Sequence, residues 1–193
     1  VDQLEQWSEG LWKDDVLNGI LVVTGPPGSG KSTVATLLAD HFDTSALVEG
    51  DRFFGFLRQG FIPPWLPEAH AQNTAVIEAA AQTAGRLARH CDVVYDGVVG
   101  PWFIKTFLEH TGLEELHYVI LLPPLGTCIA RVKTRTNHGF TDLEAAEHMW
   151  RDFDQSSIED RHRFISPKTD PEGTANQIAT LASNGQFIYR SSP

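Results

Sequence analysis

Short apolar runs alternate with longer mixed stretches along this chain. The runs Ile20–Val23, Ser45–Glu49, Asp92–Asp96, Leu116–Leu122 and Phe164–Ser166 have the length and composition of strands. Between them, Thr33–Ala39, Asp51–Leu57, Ala69–His90, Pro101–His110, Leu125–Arg135, Thr141–Phe153 and Pro171–Leu181 read as helices. Boundary residues support several of these spans. Pro101 suits the first position of a helix and Gly112 suits its stop. Thr141-x-x-Glu144 reads as a capping box. Strands that alternate with helices, several of them continuously apolar, imply an α/β parallel sheet covered on both faces. Two stretches lack a period: the Pro- and aromatic-rich Gln59–Pro67, and the polar Thr136–Phe140. No repeat or long linker interrupts the chain, so its 193 residues read as one domain.

In such sheets ligands bind outside the carboxyl ends of the strands. The first of these ends carries Gly25-Pro26-Pro27-Gly28-Ser29-Gly30-Lys31-Ser32, followed by Thr33. This is G-x-x-x-x-G-K-[ST] between an apolar strand and a helix, the context that a phosphate-binding loop requires. The glycines let backbone N–H groups turn inward at a helix N-terminus, whose dipole favours anions. Lys31 adds a charge able to reach β- and γ-phosphates, and the Ser32 hydroxyl is placed to ligate Mg²⁺. The chain therefore reads as a binder of a nucleoside triphosphate.

Composition narrows the partners. A formal net charge of -10, with no Lys/Arg run, argues against general nucleic-acid binding. No stretch has the ~20 apolar residues of a membrane span. The start, Val1–Trp7, is acidic and has neither the basic nor the apolar part of a signal peptide, so the expected location is the cytoplasm. Cys91 and Cys128, in apolar contexts, read as buried thiols. The eight histidines show no zinc-ligand spacing.

Other strand ends add chemistry. Asp96 closes an apolar run and is placed to hold Mg²⁺, often through water; a turn or cap before Gly97 is the competing reading. Asp51 follows the second strand. A carboxylate there would orient and deprotonate an acceptor hydroxyl, or cap the next helix, or both. Arg131 and Arg135 share a helix face ahead of the polar break, where arginines close over a transferring phosphoryl group or simply meet solvent. Phe53, Phe54, Phe56, Phe61, Trp65 and Trp102 enrich the neighbourhood of Asp51 in aromatic surface, which is part core and part pocket wall.

These residues, taken in order, resemble the small P-loop kinases: adenylate, cytidylate, shikimate and gluconate kinases and chloramphenicol phosphotransferase. The resemblance runs from about Gly19 to Ser183. It implies a three-layer P-loop NTPase fold, with a five-stranded parallel sheet in the order 2-3-1-4-5 and a small lid, here about residues 136–142. It also implies ATP on the loop, with adenine near the Arg131 helix and the segment around Pro167, and the acceptor bound by about residues 51–74 and the loop after Asp96. One departure matters. Adenylate kinases follow their Asp-Gly with Pro-Arg, whose arginine grips the acceptor's phosphate; here the sequence is Asp96-Gly97-Val98-Val99-Gly100-Pro101-Trp102. Only Arg52, Arg58 and Arg86 remain for that task, whereas Asp51 resembles the acid that chloramphenicol phosphotransferase places on an acceptor hydroxyl.

The leading expectation is an ATP- and Mg²⁺-dependent kinase with a small-molecule hydroxyl acceptor, using Lys31, Asp51, Arg131 and Arg135 in catalysis. A cytidylate-type nucleoside monophosphate kinase and a regulatory triphosphate switch are the alternatives. The sequence leaves the oligomeric state open.

Overall fold

The computed structural model describes residues 17, 19–134, 140–165 and 170–191. Its centre is β1 (Ile20–Thr24), every residue of which is buried. β1 pairs in parallel with β3 (Asp92–Asp96) on one side and β4 (Glu115–Leu121) on the other. β2 (Ser45–Glu49) extends the sheet beyond β3, and β5 (Arg163–Phe164) extends it beyond β4, giving the order β2-β3-β1-β4-β5. This is the expected P-loop NTPase topology. A sixth strand, β6 (Ile188–Arg190), adds antiparallel to the start of β4, where Arg190 pairs with Glu115. Sequence reading missed it because three residues are too few to show a period.

Alternation along β1 divides the core. Ile20 and Val22 face one side with Val93, Tyr95, Tyr118 and Ile120, against α3 (His70–Leu87) and α4 (Ile104–Thr111). Leu21 and Val23 face the other side with Val94, Val119 and Leu121, against α1 (Lys31–Ala39) and α7 (Pro171–Ser183). β1 is thus buried on both faces, as its unbroken apolar run requires. The remaining helices are α2 (Asp51–Phe54), α5 (Leu125–Thr134) and α6 (Leu143–Asp154).

Two boundaries differ from expectation for local reasons, and a third, the start of the last helix, is as expected. Pro101 sits in a turn closed by Phe103 N–H on Gly100 O (2.8 Å), so α4 starts later, at Ile104, and ends as expected at left-handed Gly112. The cap of α6 is Asp142, whose carboxylate accepts from Ala145 N–H at 3.0 Å, rather than Thr141. Asp170 caps α7 in the same way, accepting from Gly173 N–H at 2.6 Å, with Pro171 in the first turn.

The loop after β3 is pinned rather than free. Val99 N–H donates to Thr24 Oγ1 (3.0 Å), and Val99 O accepts from the Tyr118 hydroxyl (2.7 Å). Val99 and Tyr118 are both fully buried, so each bond satisfies a group that water does not reach. Tyr118→Phe keeps the ring and orphans the Val99 carbonyl. It is expected to cost about 1–2 kcal/mol, seen as a lower urea midpoint with an unchanged m-value.

Candidate active site

The loop after β1 is shaped by what stands behind it. Gly25 and Gly28 have φ of 149° and 82°, and a Cβ on either would lie 2.3 Å from a backbone oxygen, Leu121 O and Cys128 O respectively. The loop is wedged between the end of β4 and the start of α5, and only glycine fits there. Ser29 N–H closes its turn on Pro26 O (3.1 Å). Gly30 begins α1 in the left-handed region and no side chain caps that helix. The orphan N–H groups of its first turn are therefore left to an anion. Lys31 is buried at that turn, while Ser32 and Thr33 are exposed. Ser29 Oγ is buried with no partner, an orphan polar atom inside the loop.

Arg131 departs from the lid expectation. Its Nη1 donates to Gly28 O and Ser29 O, both at 3.2 Å. It thus grips the loop's carbonyls, which favours the loop's N–H groups facing the other way. Arg135 and Pro167 lie outside the described residues, as do His138 and most of the expected lid; Phe140–Asp142 are its described end.

The two acids meet at the carboxyl edge. β2 and β3 align Glu49 with Asp96, and Gly50 N–H donates to Asp96 O at 2.7 Å. Asp51 follows as the first, exposed residue of α2, and no side chain caps that helix. The competing reading of Asp51 as a cap therefore has no bond to rest on. Asp96 is 9% exposed, and its Oδ1 has no hydrogen-bond partner. Burial raises its pKa above the ordinary aspartate value; Lys31 and a hydrogen bond with Ser32 pull it back, and Asp51 and Glu49 push it up. Asp96, Lys31 and Ser32 are thus one electrostatic group. Tyr95 beside them is buried, and its pKa is raised first by burial and then by Asp51 and Asp96.

The segment after α2 supplies apolar walls. Phe53, Phe56, Leu57, Ile62 and Val76 line a cavity of about 390 Å³ between α2 and α3. Phe54 meets Phe61 edge-on at 6.4 Å, and Trp65 meets Phe140 edge-on at 4.9 Å, joining this segment to the described end of the lid region. Trp102 is half-exposed and packs on Phe153. The segment is held by amides that sequence reading did not single out. Gln72 accepts from Ile62 N–H (2.8 Å) and donates to Ile62 O (2.7 Å), and Asn73 donates to Pro64 O (2.7 Å). Their spacing on α3 carries no motif, so only the fold reveals the clamp.

The candidate acceptor arginines fare poorly. Arg52 pairs with Glu49 at 2.5 Å, and Arg58 is exposed. Arg86 lies in the last turn of α3, which ends just before β3 begins and hence at the opposite edge of the sheet.

Comparison with known proteins agrees with this architecture. Residues 20–157 match the model of a family described as AAA domain. A tunicamycin resistance protein of Deinococcus radiodurans superposes with a TM-score of 0.64 at 16% identity, over 91% of this chain and 99% of that one. A gluconokinase of Sinorhizobium meliloti 1021 gives 0.63 at 17% identity, over 89% and 95%. At such identities the likeness speaks for the fold alone, and it is the fold of small P-loop kinases. Among curated proteins, a cytosolic Fe-S cluster assembly factor Nubp2 homolog of Anopheles gambiae is 31% identical over 132 residues, 59% of this chain and 49% of its own. A cytidylate kinase of Halobacterium salinarum is 53% identical over 36 residues, 19% of each chain. The chain thus spans half or less of the curated relatives it matches.

Asp96 predicts a trade of stability for function. Its folded pKa is raised, so as pH climbs the unfolded chain ionises first. The penalty is absent below the ordinary aspartate pKa and complete above the raised one. Asp96→Asn is expected to stabilise the ligand-free protein by about 1 kcal/mol at neutral pH. Urea unfolding at several pH values should show that gain vanish in acid.

Proposed function

The chain belongs to the AAA-domain family, whose model spans residues 20–157, and from that premise we propose an ATP-dependent phosphotransferase that acts on a hydroxyl of a small molecule. One observation carries the reading. Asp51 and Asp96 stand at adjacent strand ends beside a phosphate loop, and Asp51, one residue past the Gly50 cap, is exposed. A loop that merely held a triphosphate would need Asp96 but not Asp51.

In this reading Lys31 and the loop amides from Gly28 to Thr33 hold the β- and γ-phosphates. The residues fit a divalent cation: the Ser32 hydroxyl and the unpartnered Asp96 Oδ1 supply oxygen donors beside Lys31. Mg²⁺ bound there, with Asp96 acting directly or through water, offsets phosphate charge. Asp51 accepts the proton of the acceptor hydroxyl as its oxygen bonds to the γ-phosphorus. The bond from that phosphorus to the bridging oxygen breaks, and ADP leaves. Arg131 holds the loop and borders the adenine. The acceptor lies against residues 51–74, where aromatic surface and the Arg52–Glu49 pairing suit an uncharged body.

The cytidylate-kinase match favours a second reading, a nucleoside monophosphate acceptor. Against it, no arginine follows Asp96-Gly97, Arg52 is paired and Arg86 lies at the far edge. The Nubp2-homolog match favours a third, an ATPase without an acceptor. Asp51 is the residue that such a protein would not need.

Two measurements separate these readings. Asp51→Asn is expected to lower phosphoryl transfer by roughly 10²–10⁴-fold while ATP binding is nearly unchanged; an unchanged transfer rate would remove Asp51 as the base. ADP release is then followed with MgATP and gluconate, shikimate, chloramphenicol or cytidine monophosphate. Turnover confined to cytidine monophosphate would select the second reading.

A further inference from the structure

Tyr95 has no part in the scheme above. It lies in β3 next to Asp96, is 3% exposed, and packs edge-on against Phe107 at 4.7 Å. Packing accounts for the ring but not for the hydroxyl. A phenylalanine would make the same contact, so packing does not call for the hydroxyl. Among the described residues the Tyr95 hydroxyl bonds to none; Asp51 and Asp96 act on it through their charge alone.

Its position is defined by two glycines. A Cβ on Gly50 would lie 2.1 Å from Tyr95 Oη and 2.7 Å from Cζ. A Cβ on Gly97 would lie 2.8 Å from Cε1 and 3.1 Å from Oη. Neither glycine has a positive φ, so conformation does not demand them; the tyrosine does. Gly50 immediately precedes Asp51, and Gly97 immediately follows Asp96. Both neighbours have given up their side chains to let this hydroxyl stand between the ends of β2 and β3. That is the carboxyl edge, where the ligand of such a sheet is held. A phenol is protonated at neutral pH and offers one donor.

We propose that the Tyr95 hydroxyl donates a hydrogen bond to an oxygen of the phosphoryl acceptor and holds the acceptor beside Asp51. The proposal rests on the kinase reading. It makes Tyr95 a substrate-contacting residue that no motif marks, and it resolves the unpartnered hydroxyl: the missing partner arrives with the acceptor. A site built around a donor rejects acceptors that cannot accept from it.

The test compares wild type with Tyr95→Phe and Gly50→Ala. Each is assayed with MgATP plus gluconate, shikimate or chloramphenicol, and with MgATP alone, where water is the acceptor. Tyr95→Phe is expected to raise the KM for the alcohol that turns over, or to lower hydrolysis if only water reacts, by about tenfold. The KM for ATP should not change, and the Tm should hold, because the variant removes no hydrogen bond made among the described residues. A merely structural tyrosine would show the reverse, a lower Tm with intact kinetics. Gly50→Ala drives a methyl into the hydroxyl's place and should reproduce the kinetic loss. Unchanged acceptor KM and hydrolysis in Tyr95→Phe overturn the proposal and leave the kinase reading standing. Absence of both phosphorylated alcohol and ATP hydrolysis in wild type, with ATP bound, sinks the two together.

Discussion

The constraint on which the rest depends is the wedging of the phosphate loop. Its glycines lie so close to Leu121 O and Cys128 O that no side chain fits between. Arg131 reaches across from α5 to hold two of the loop's carbonyls. An anion site made of N–H groups works only if those groups are held in place before the anion arrives, since ordering them on binding would offset the gain. Here β4 and α5 supply that rigidity from behind. Arg131 thereby acts on the geometry of the loop.

Around this loop the sheet edge concentrates groups that a core would reject. Asp96 is buried with one oxygen unpaired, Ser29 Oγ is buried and unpaired, and the Tyr95 hydroxyl has no partner among the described residues. Several backbone groups of the adjoining segments are met by partners. Val99 is bonded at both its N–H and its carbonyl, and Gln72 and Asn73 satisfy the backbone of the apolar segment. Two of these, Ser29 Oγ and Asp96 Oδ1, stand where phosphates and a cation would meet them, while others, such as His117 Nδ1 and Arg163 Nε, lie elsewhere. Such local violations of packing rules mark functional sites.

Much of this was legible before the fold. Apolar runs placed β1, β3 and β4 within a residue or so, because strands covered on both faces have little freedom to be polar. The phosphate loop was readable because its chemistry lies in consecutive residues. Asp51 and Asp96 were readable because each closes a strand, and strand ends share an edge. What escaped was non-local or too short. β6 is three residues whose only support is β4. The choice of Asp142 over Thr141 as a cap is made by the Asp142 carboxylate that meets Ala145 N–H. The pairing of Arg52 with Glu49 and the displacement of Arg86 to the far edge depend on α2 and α3 being built as they are.

The sequence by itself determined the alternation of elements, the nucleotide loop and the candidate acids, since each is written in local spacing or in burial on both faces. Tertiary structure alone decided that Arg131 grips the loop rather than closing over it, and that Gln72 clamps Ile62. It also decided that Gly50 and Gly97 make room for a hydroxyl no motif announces. The physical reason is common to all three. Each is a contact between a side chain and a backbone, and a backbone atom has the same chemistry whatever residue bears it. Such contacts leave no trace in residue identity until folding brings them together.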